Sequence, residues 1–362
     1  WDNFCQLTDS VAVDTEKKTI EVKKGEALTL LSNCPAQMYE DYTISTSSSY
    51  TGAILDISAN ATINGALYQF KGLGTTEHPF KGTFNINAVQ IPSALFNELS
   101  SEAKFSDKGL QITVNNEWNN KNSSILAESY IFADTKEYTP TITINEKVQA
   151  SFIGEISGAA GALKPTLTYN ADSVSIDRTE NNAGLICNTL SAGTLDTSSV
   201  TFPTSYSVKT TAGAAGGVVG KMKESTKLVL GKADISATVN GETAAGGLVG
   251  DSEKATITMD DKVTVSGKVL AAENAGGVIG KAEDSSFTVK EGGSLSVSSS
   301  TVTASKENGN AGGVFGYFSV KEKFAFNNQI EIKEAAQITG NTVGGLVGVL
   351  INNSNNNTVS VQ

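Results

Sequence analysis

Ala245-Gly246-Gly247-Leu248-Val249-Gly250 is one of five copies of a single pattern, small–Gly–Gly–apolar–apolar–Gly, in the second half of the chain. The others read Ala215-Gly216-Gly217-Val218-Val219-Gly220, Ala275-Gly276-Gly277-Val278-Ile279-Gly280, Ala311-Gly312-Gly313-Val314-Phe315-Gly316 and Val343-Gly344-Gly345-Leu346-Val347-Gly348. The closing glycines fall at 220, 250, 280, 316 and 348, in steps of 30, 30, 36 and 32 residues. Weaker copies continue upstream. In Gly184-Leu185-Ile186-Cys187 the cysteine stands in for the closing glycine as a small buried apolar residue. Ser151-Phe152-Ile153-Gly154, Ser124-Ile125-Leu126-Ala127 and Ala94-Leu95-Phe96-Asn97 keep the beat further back.

Strand-like runs fill the intervals. Thr256-Ile257-Thr258-Met259 and Val263-Thr264-Val265 alternate apolar and polar residues around a turn at Asp260-Asp261-Lys262. A unit of roughly 30 residues with about three short strands and no helix does not fit helical or leucine-rich solenoids, and is short for a propeller blade. It fits one coil of a right-handed parallel β-helix. In this reading Gly-Gly turns a tight corner at backbone angles other residues avoid, the apolar pair forms a minimal strand, and the last glycine opens the next corner. About nine coils at ~4.8 Å make a rod of about 45 Å. Residues 1–75 are assigned to an N-terminal cap and the first coils, and residues 76–362 to the repeat-bearing β-helix, in a single elongated domain.

Composition agrees with an all-β chain. Glycine is abundant, with 35 residues, and proline scarce, with 6; apolar residues make up 39 % but come as short clusters. No window supplies the roughly 18 unbroken apolar residues of a membrane span. The net charge of −11 argues against nucleic acid or an anionic membrane surface as partner. The basic residues are lysines except Arg178. The three cysteines follow no metal spacing. Cys5 and Cys34 bracket the N-terminal segment, either as one disulfide of an oxidising compartment or as buried thiols. The start at Trp1 without Met suits a removed leader or a segment of a longer protein.

At the repeats the sequence resembles the GLUG-motif proteins, whose core Gly-Leu-x-Gly is matched by Gly247-Leu248-Val249-Gly250 and Gly345-Leu346-Val347-Gly348. The stretch Leu73-Gly74-Thr75-Thr76-Glu77-His78-Pro79-Phe80-Lys81-Gly82-Thr83-Phe84-Asn85 is similar to that family's opening coil. Gly25-Glu26-Ala27-Leu28 and Asp56-Ile57-Ser58 look like its leading segments, so the resemblance runs from about residue 20 to the end. Asn85-Ile86-Asn87 departs from the family's Asp-Gly-Asn-Gly, and that turn must be built differently. The resemblance implies a secreted or wall-attached bacterial surface protein and supplies no active site.

Catalytic readings find little support in the residues. Gly220-Lys221 and Gly280-Lys281 resemble the end of a phosphate-binding loop, but Ala215 and Ala275 occupy its opening glycine and Met222 and Ala282 its Ser/Thr. Asp260-Asp261 is the best carboxylate pair for a polysaccharide hydrolase, yet neighbouring units offer Gly231-Lys232 or Gly292-Gly293 there, so a turn is the simpler role. Lyase chemistry needs charge neutralisation that one arginine and an acidic surface supply poorly. His78 is the single histidine, which removes histidine metal clusters and His-based triads. Asp251-Ser252-Glu253 reads as a solvated loop without an EF-hand pattern. No enzyme activity and no cofactor are expected.

Trp118, Tyr130, Phe132 and Tyr138 cluster in a less regular stretch, either as an exposed aromatic binding surface or packed under a loop. At the C-terminus, Val359-Ser360-Val361-Gln362 reads as one more strand with no cap, making Val359 and Val361 a candidate assembly edge. Two roles follow for an extracellular protein. One is an adhesin-like module binding host protein or glycan through lateral loops. The other is a structural subunit whose copies stack end to end.

Overall fold

The computed structural model describes residues 121–320 and 337–352 without a break. Outside them it describes segments 11–14, 19–22, 28–29, 43–46, 54–57, 83–86, 96–101, 111–114, 117–118, 324–326, 330–332 and 359–361, with Glu16 and Ala94. The described residues hold strands and no helix. Parallel sheets stack as a β-solenoid of about seven turns, slightly fewer than the nine expected from the motif count. The chain falls into two compact units, Trp1–Asp172 and Ser173–Gln362.

In the second unit a typical turn has four strands rather than three: Ala214–Gly216, Val219–Met222, Lys227–Leu230 and Ala233–Gly241. The extra one arises because the glycine motif is not a single strand between two corners. Its first two residues end the short strand Ala214–Gly216, Gly217-Val218 makes the bend, and the closing Gly220 lies inside the next strand. Stacking each strand on its counterpart one turn away gives four parallel sheets, called here the first to the fourth in the order the chain visits them.

The bend itself is hydrogen-bonded between turns. The Leu248 carbonyl accepts from the N–H groups of both Val218 (2.9 Å) and Val219 (3.1 Å). Val278 does the same for Leu248 and Val249, Val314 for Val278 and Ile279, and Leu346 for Val314 and Phe315. Each of these buried corners thereby satisfies its backbone polar groups, which burial demands.

Why the motif needs glycine differs from the sequence reading. None of the glycines in the five strong motif copies adopts a positive φ; among the described residues the glycines that do are Gly158, Gly193, Gly267 and Gly292. The requirement is close approach. A Cβ on Gly217 would overlap the Gly247 carbonyl oxygen of the next turn, and the same holds for Gly247 against Gly277, Gly277 against Gly313 and Gly313 against Gly345. A Cβ on Gly250 would lie 2.6 Å from the Gly220 oxygen behind it.

The interior is filled by in-register ladders. Ile176, Val208, Val239, Val269 and Val302 stack along the fourth sheet, all at most 1 % exposed. Full burial of such side chains is worth about 1.5–3 kcal/mol each. Leu195, Leu228, Ile257 and Phe287 form the matching ladder of the third sheet.

Register corrects two of the weak copies. Cys187 pairs with Val219, so Asn188, not Cys187, stands opposite the closing Gly220. The Asn188 side chain accepts the Gly184 N–H at 3.1 Å. In the first unit Ala127 pairs with Ile153, which sets Glu128 beside Gly154. Glu128 accepts from the Ser124 N–H (2.9 Å) and hydroxyl (3.0 Å). A polar side chain bonding to the residue four earlier thus occupies the closing position in both turns.

The first unit stacks Phe96–Ser100, Ser124–Phe132 and Ser151–Gly158 in one parallel sheet. Gln111–Val114, Thr141–Ile144 and Thr166–Tyr169 stack in another. Leu28–Thr29, Ile54–Ile57 and Thr83–Ile86 are also parallel, whereas Val11–Asp14 runs antiparallel to Thr19–Val22.

Gly247→Val, which drives a side chain into the Gly277 carbonyl and Val265, is expected to destabilise the protein by about 3 kcal/mol or more. Gly292→Ala meets no atom within 4 Å and carries only the strain of φ +82°, about 1–2 kcal/mol. Urea unfolding followed by circular dichroism measures both.

Candidate functional site

The step of 36 residues between Gly280 and Gly316 is the largest break in the regular spacing of the strong motifs. Its six extra residues are spread over three places. Two lengthen the connection between the strands Ser286–Val289 and Ser294–Ala304. One makes a bulge, where Gly267 pairs with Ser299 but Lys268 with Thr301. Three lengthen the link from Ala304 to Asn310 relative to that from Ala271 to Asn274.

That last insertion builds a loop, Ser305-Lys306-Glu307-Asn308-Gly309, closed by the Gly309 N–H donating to the Lys306 carbonyl at 2.8 Å. The loop is tied to the turn behind it through Ser305 N–H to the Ala271 carbonyl and Lys306 N–H to the Ala272 carbonyl. Beside it opens a groove of about 420 Å³ lined by Glu273, Asn274, Lys306, Glu307, Asn308 and Asn310.

Lys306 bridges two earlier corners, reaching Glu273 at 2.9 Å and Glu242 at 3.3 Å. Those carboxylates raise its ammonium pKa above the usual lysine range, Glu273 contributing most, so it stays charged at neutral pH. Asn310 donates to the Asn274 side-chain oxygen at 2.9 Å, one turn behind. Carboxylate acceptors, amide donors and acceptors and one ammonium therefore surround a space within the size range of small-ligand pockets. The groove has no aromatic wall, so recognition there rests on hydrogen bonds.

The aromatic candidates lie elsewhere, and most are buried. Trp118 is fully buried, bridges to Val148 and donates its indole N–H to Ser123 at 3.3 Å. Tyr130 and Phe132 are 5 % and 2 % exposed and meet edge to face with ring centroids 5.5 Å apart. Tyr138 packs against Phe132 and is the half-buried member. Three of the four thus form core, as the packed alternative expects: Tyr130 and Phe132 share the inward side at the end of Ser124–Phe132, and Trp118 is held by its bridge to Val148. Burial also raises the pKa of the Tyr130 hydroxyl.

The other expectations sort as follows. Asp260 forms an ion pair with Lys290 of the next turn at 2.8 Å, and Asp261 accepts the Lys262 N–H. Asp251-Ser252-Glu253 is not a loop: it belongs to the strand Val249–Glu253, with Ser252 fully buried and Asp251 paired to Lys221 at 3.0 Å. Among the described residues no three His, Cys, Asp or Glu side chains gather as a metal site. Val359–Val361 does form a strand, parallel to Phe324–Phe326. Cys5, Cys34 and His78 lie outside the described residues. No family model, curated protein or solved structure matches the chain.

Asp134 meets Tyr138 at its hydroxyl. It accepts from Lys136, through both ammonium and backbone N–H, and from the Tyr138 hydroxyl at 2.6 Å, which lowers its pKa to about 2. Its folded-state pKa is below the unfolded value, so its stabilising contacts are complete above about pH 4 and are lost as pH falls through about 2. Carboxyl 13C NMR titration is expected to show that midpoint, and Tyr138→Phe to move it upward.

Proposed function

We propose that this protein is a non-enzymatic, extracellular β-solenoid that acts as an adhesin-like module, binding a hydroxyl-rich ligand such as a host glycan. The observation that carries this reading is the groove between Glu273 and Asn310, where three inserted residues interrupt an otherwise repetitive wall. Insertions in solenoids commonly form loops on the binding face. Elsewhere among the described residues, several lateral polar groups are paired from turn to turn. Lys254 pairs with Glu224 and Lys290 with Asp260, while the Ser207 hydroxyl donates to Ser175 and that of Ser286 to Thr256. At the groove, Glu307 and Asn308 are exposed.

The extracellular setting and the bacterial surface role rest on the resemblance to GLUG-motif proteins, the acidic net charge and the near-absence of arginine. The non-enzymatic reading draws on the engagement of the best carboxylate pair, Asp260 and Asp261, in an ion pair and a turn.

A glycan and protein array probed with the purified chain tests this reading. Specific, saturable binding is expected, weakened about tenfold by Asn310→Ala through loss of one or two hydrogen bonds. An array with no saturable binding overturns the adhesin reading. Binding to a protein that Asn310→Ala leaves unchanged would move the site away from the groove.

A further inference from the structure

The groove beside the inserted loop differs in charge balance from the paired positions around it. Lys221 and Asp251, Lys254 and Glu224, and Lys290 and Asp260 each set one ammonium against one carboxylate. Among the residues lining the groove, Lys306 is the single cation, and two carboxylates share it, Glu273 at 2.9 Å and Glu242 at 3.3 Å. Glu307 lines the same groove and is exposed, and among the described residues its carboxylate has no ion pair or hydrogen bond. Three carboxylates therefore stand against one ammonium, an excess of two negative charges.

The neutral groups lean the same way. The Asn274 side chain, only 8 % exposed, donates its amide N–H to the Thr243 carbonyl at 3.5 Å, and Asn310 donates to the Asn274 side-chain oxygen at 2.9 Å. Both amides turn their donors back along the stack. The ladder thus ends on the Asn310 side-chain oxygen, which has no protein donor among the described residues. Carboxylates already engage the Lys306 ammonium on two sides. What remains open to a ligand is mostly acceptors, the Glu307 carboxylate and the Asn310 oxygen, around a space of about 420 Å³.

We propose that this groove selects a glycan carrying protonated amino groups, and that Glu307 is the residue that sets the preference. The inference rests on the glycan-binding reading above and names the class of glycan. A protonated amine brings three N–H donors and one positive charge, which complement the groove in both respects. An N-acetylated amine keeps one donor and loses the charge. A uronic, sialic or sulfated sugar brings an anion without donors into a groove that already holds excess negative charge, and is repelled. Lys306 does not reverse this, because Glu242 and Glu273 flank it. Glu307 belongs to the inserted loop, so the feature that interrupts the wall also carries the selectivity.

Isothermal titration calorimetry of the full chain, at mildly acidic pH where sugar amines are protonated, tests this with three oligosaccharides of equal length, built from glucosamine, N-acetylglucosamine or galacturonic acid. The glucosamine oligomer is expected to bind about tenfold more tightly than the N-acetylated one, and the galacturonic acid oligomer least. Glu307→Gln is expected to remove most of that difference and to keep the wild-type circular dichroism, since its side chain has no protein partner to lose. Glu291→Gln, at an exposed carboxylate just before the far end of the strand Ser294–Ala304, controls for the attraction of any polycation to an acidic protein, and is expected to bind as wild type. Equal losses in the two variants, or no loss in Glu307→Gln, overturn the inference. An N-acetylated oligomer that binds as tightly, and is weakened by Asn310→Ala, overturns the amine preference and leaves the glycan-binding groove standing. Tightest binding of the galacturonic acid oligomer overturns the preference as well. No saturable binding of any of the three overturns this inference, and together with an empty array it overturns the adhesin reading too.

Discussion

Successive turns of this solenoid approach each other so closely along the glycine motif that backbone packs directly on backbone. A Cβ at the second glycine would overlap the carbonyl oxygen of the glycine one turn ahead, and a Cβ at the closing glycine would crowd the oxygen one turn behind. Between them the corner carbonyl accepts two N–H groups from the turn it stacks on, as Leu248 does for Val218 and Val219. With the corner fixed in this way, the register of the other sheets follows. A slip of one residue would turn the ladder from Ile176 to Val302 from the interior toward solvent.

That regularity explains where function can reside. Along the lateral faces several polar groups find a partner about one turn away: Lys221 with Asp251, Lys254 with Glu224, Lys290 with Asp260. Exposed pairs of this kind add little stability individually, but they leave few polar groups seeking a ligand. A wall that satisfies itself at every turn offers a partner the same weak surface throughout. The period of that wall is interrupted at the three residues inserted beside Asn310, and the proposed binding groove is set there for that reason.

The fold was legible because close approach leaves a residue type, glycine, that nothing else explains at a 30-residue period. The reason for those glycines was not legible: corner geometry and close approach select the same residue, and only the φ values separate them. The one-residue shift that puts Asn188 at the closing position was hidden as well, because a short apolar run fits the motif in either register until hydrogen bonds fix it. The groove had a signal in the step of 36. The spacing could not show that its six extra residues were divided among a connection, a bulge and a corner. The aromatic stretch left surface and packing both open for a simpler reason. Strand alternation points Tyr130 and Phe132 inward, and composition carries no direction.

Where glycine is missing, the same constraint is met in another way. Asn188 and Glu128 each occupy the closing position and each turn a side-chain oxygen back onto the N–H of the residue four earlier, Gly184 and Ser124. The interior at these places is nearly dry, with Asn188 only 4 % exposed, so an N–H without a partner there would cost about 1–3 kcal/mol. A polar residue at that point supplies its own acceptor and lets the turn close without the glycine backbone geometry. The weak motif copies are thus not decayed versions of the strong ones. They are turns in which a side chain adds an acceptor at the closing position, while the backbone still packs closely on the turn ahead, a Cβ on Gly220 falling 2.6 Å from the Asn188 carbonyl oxygen.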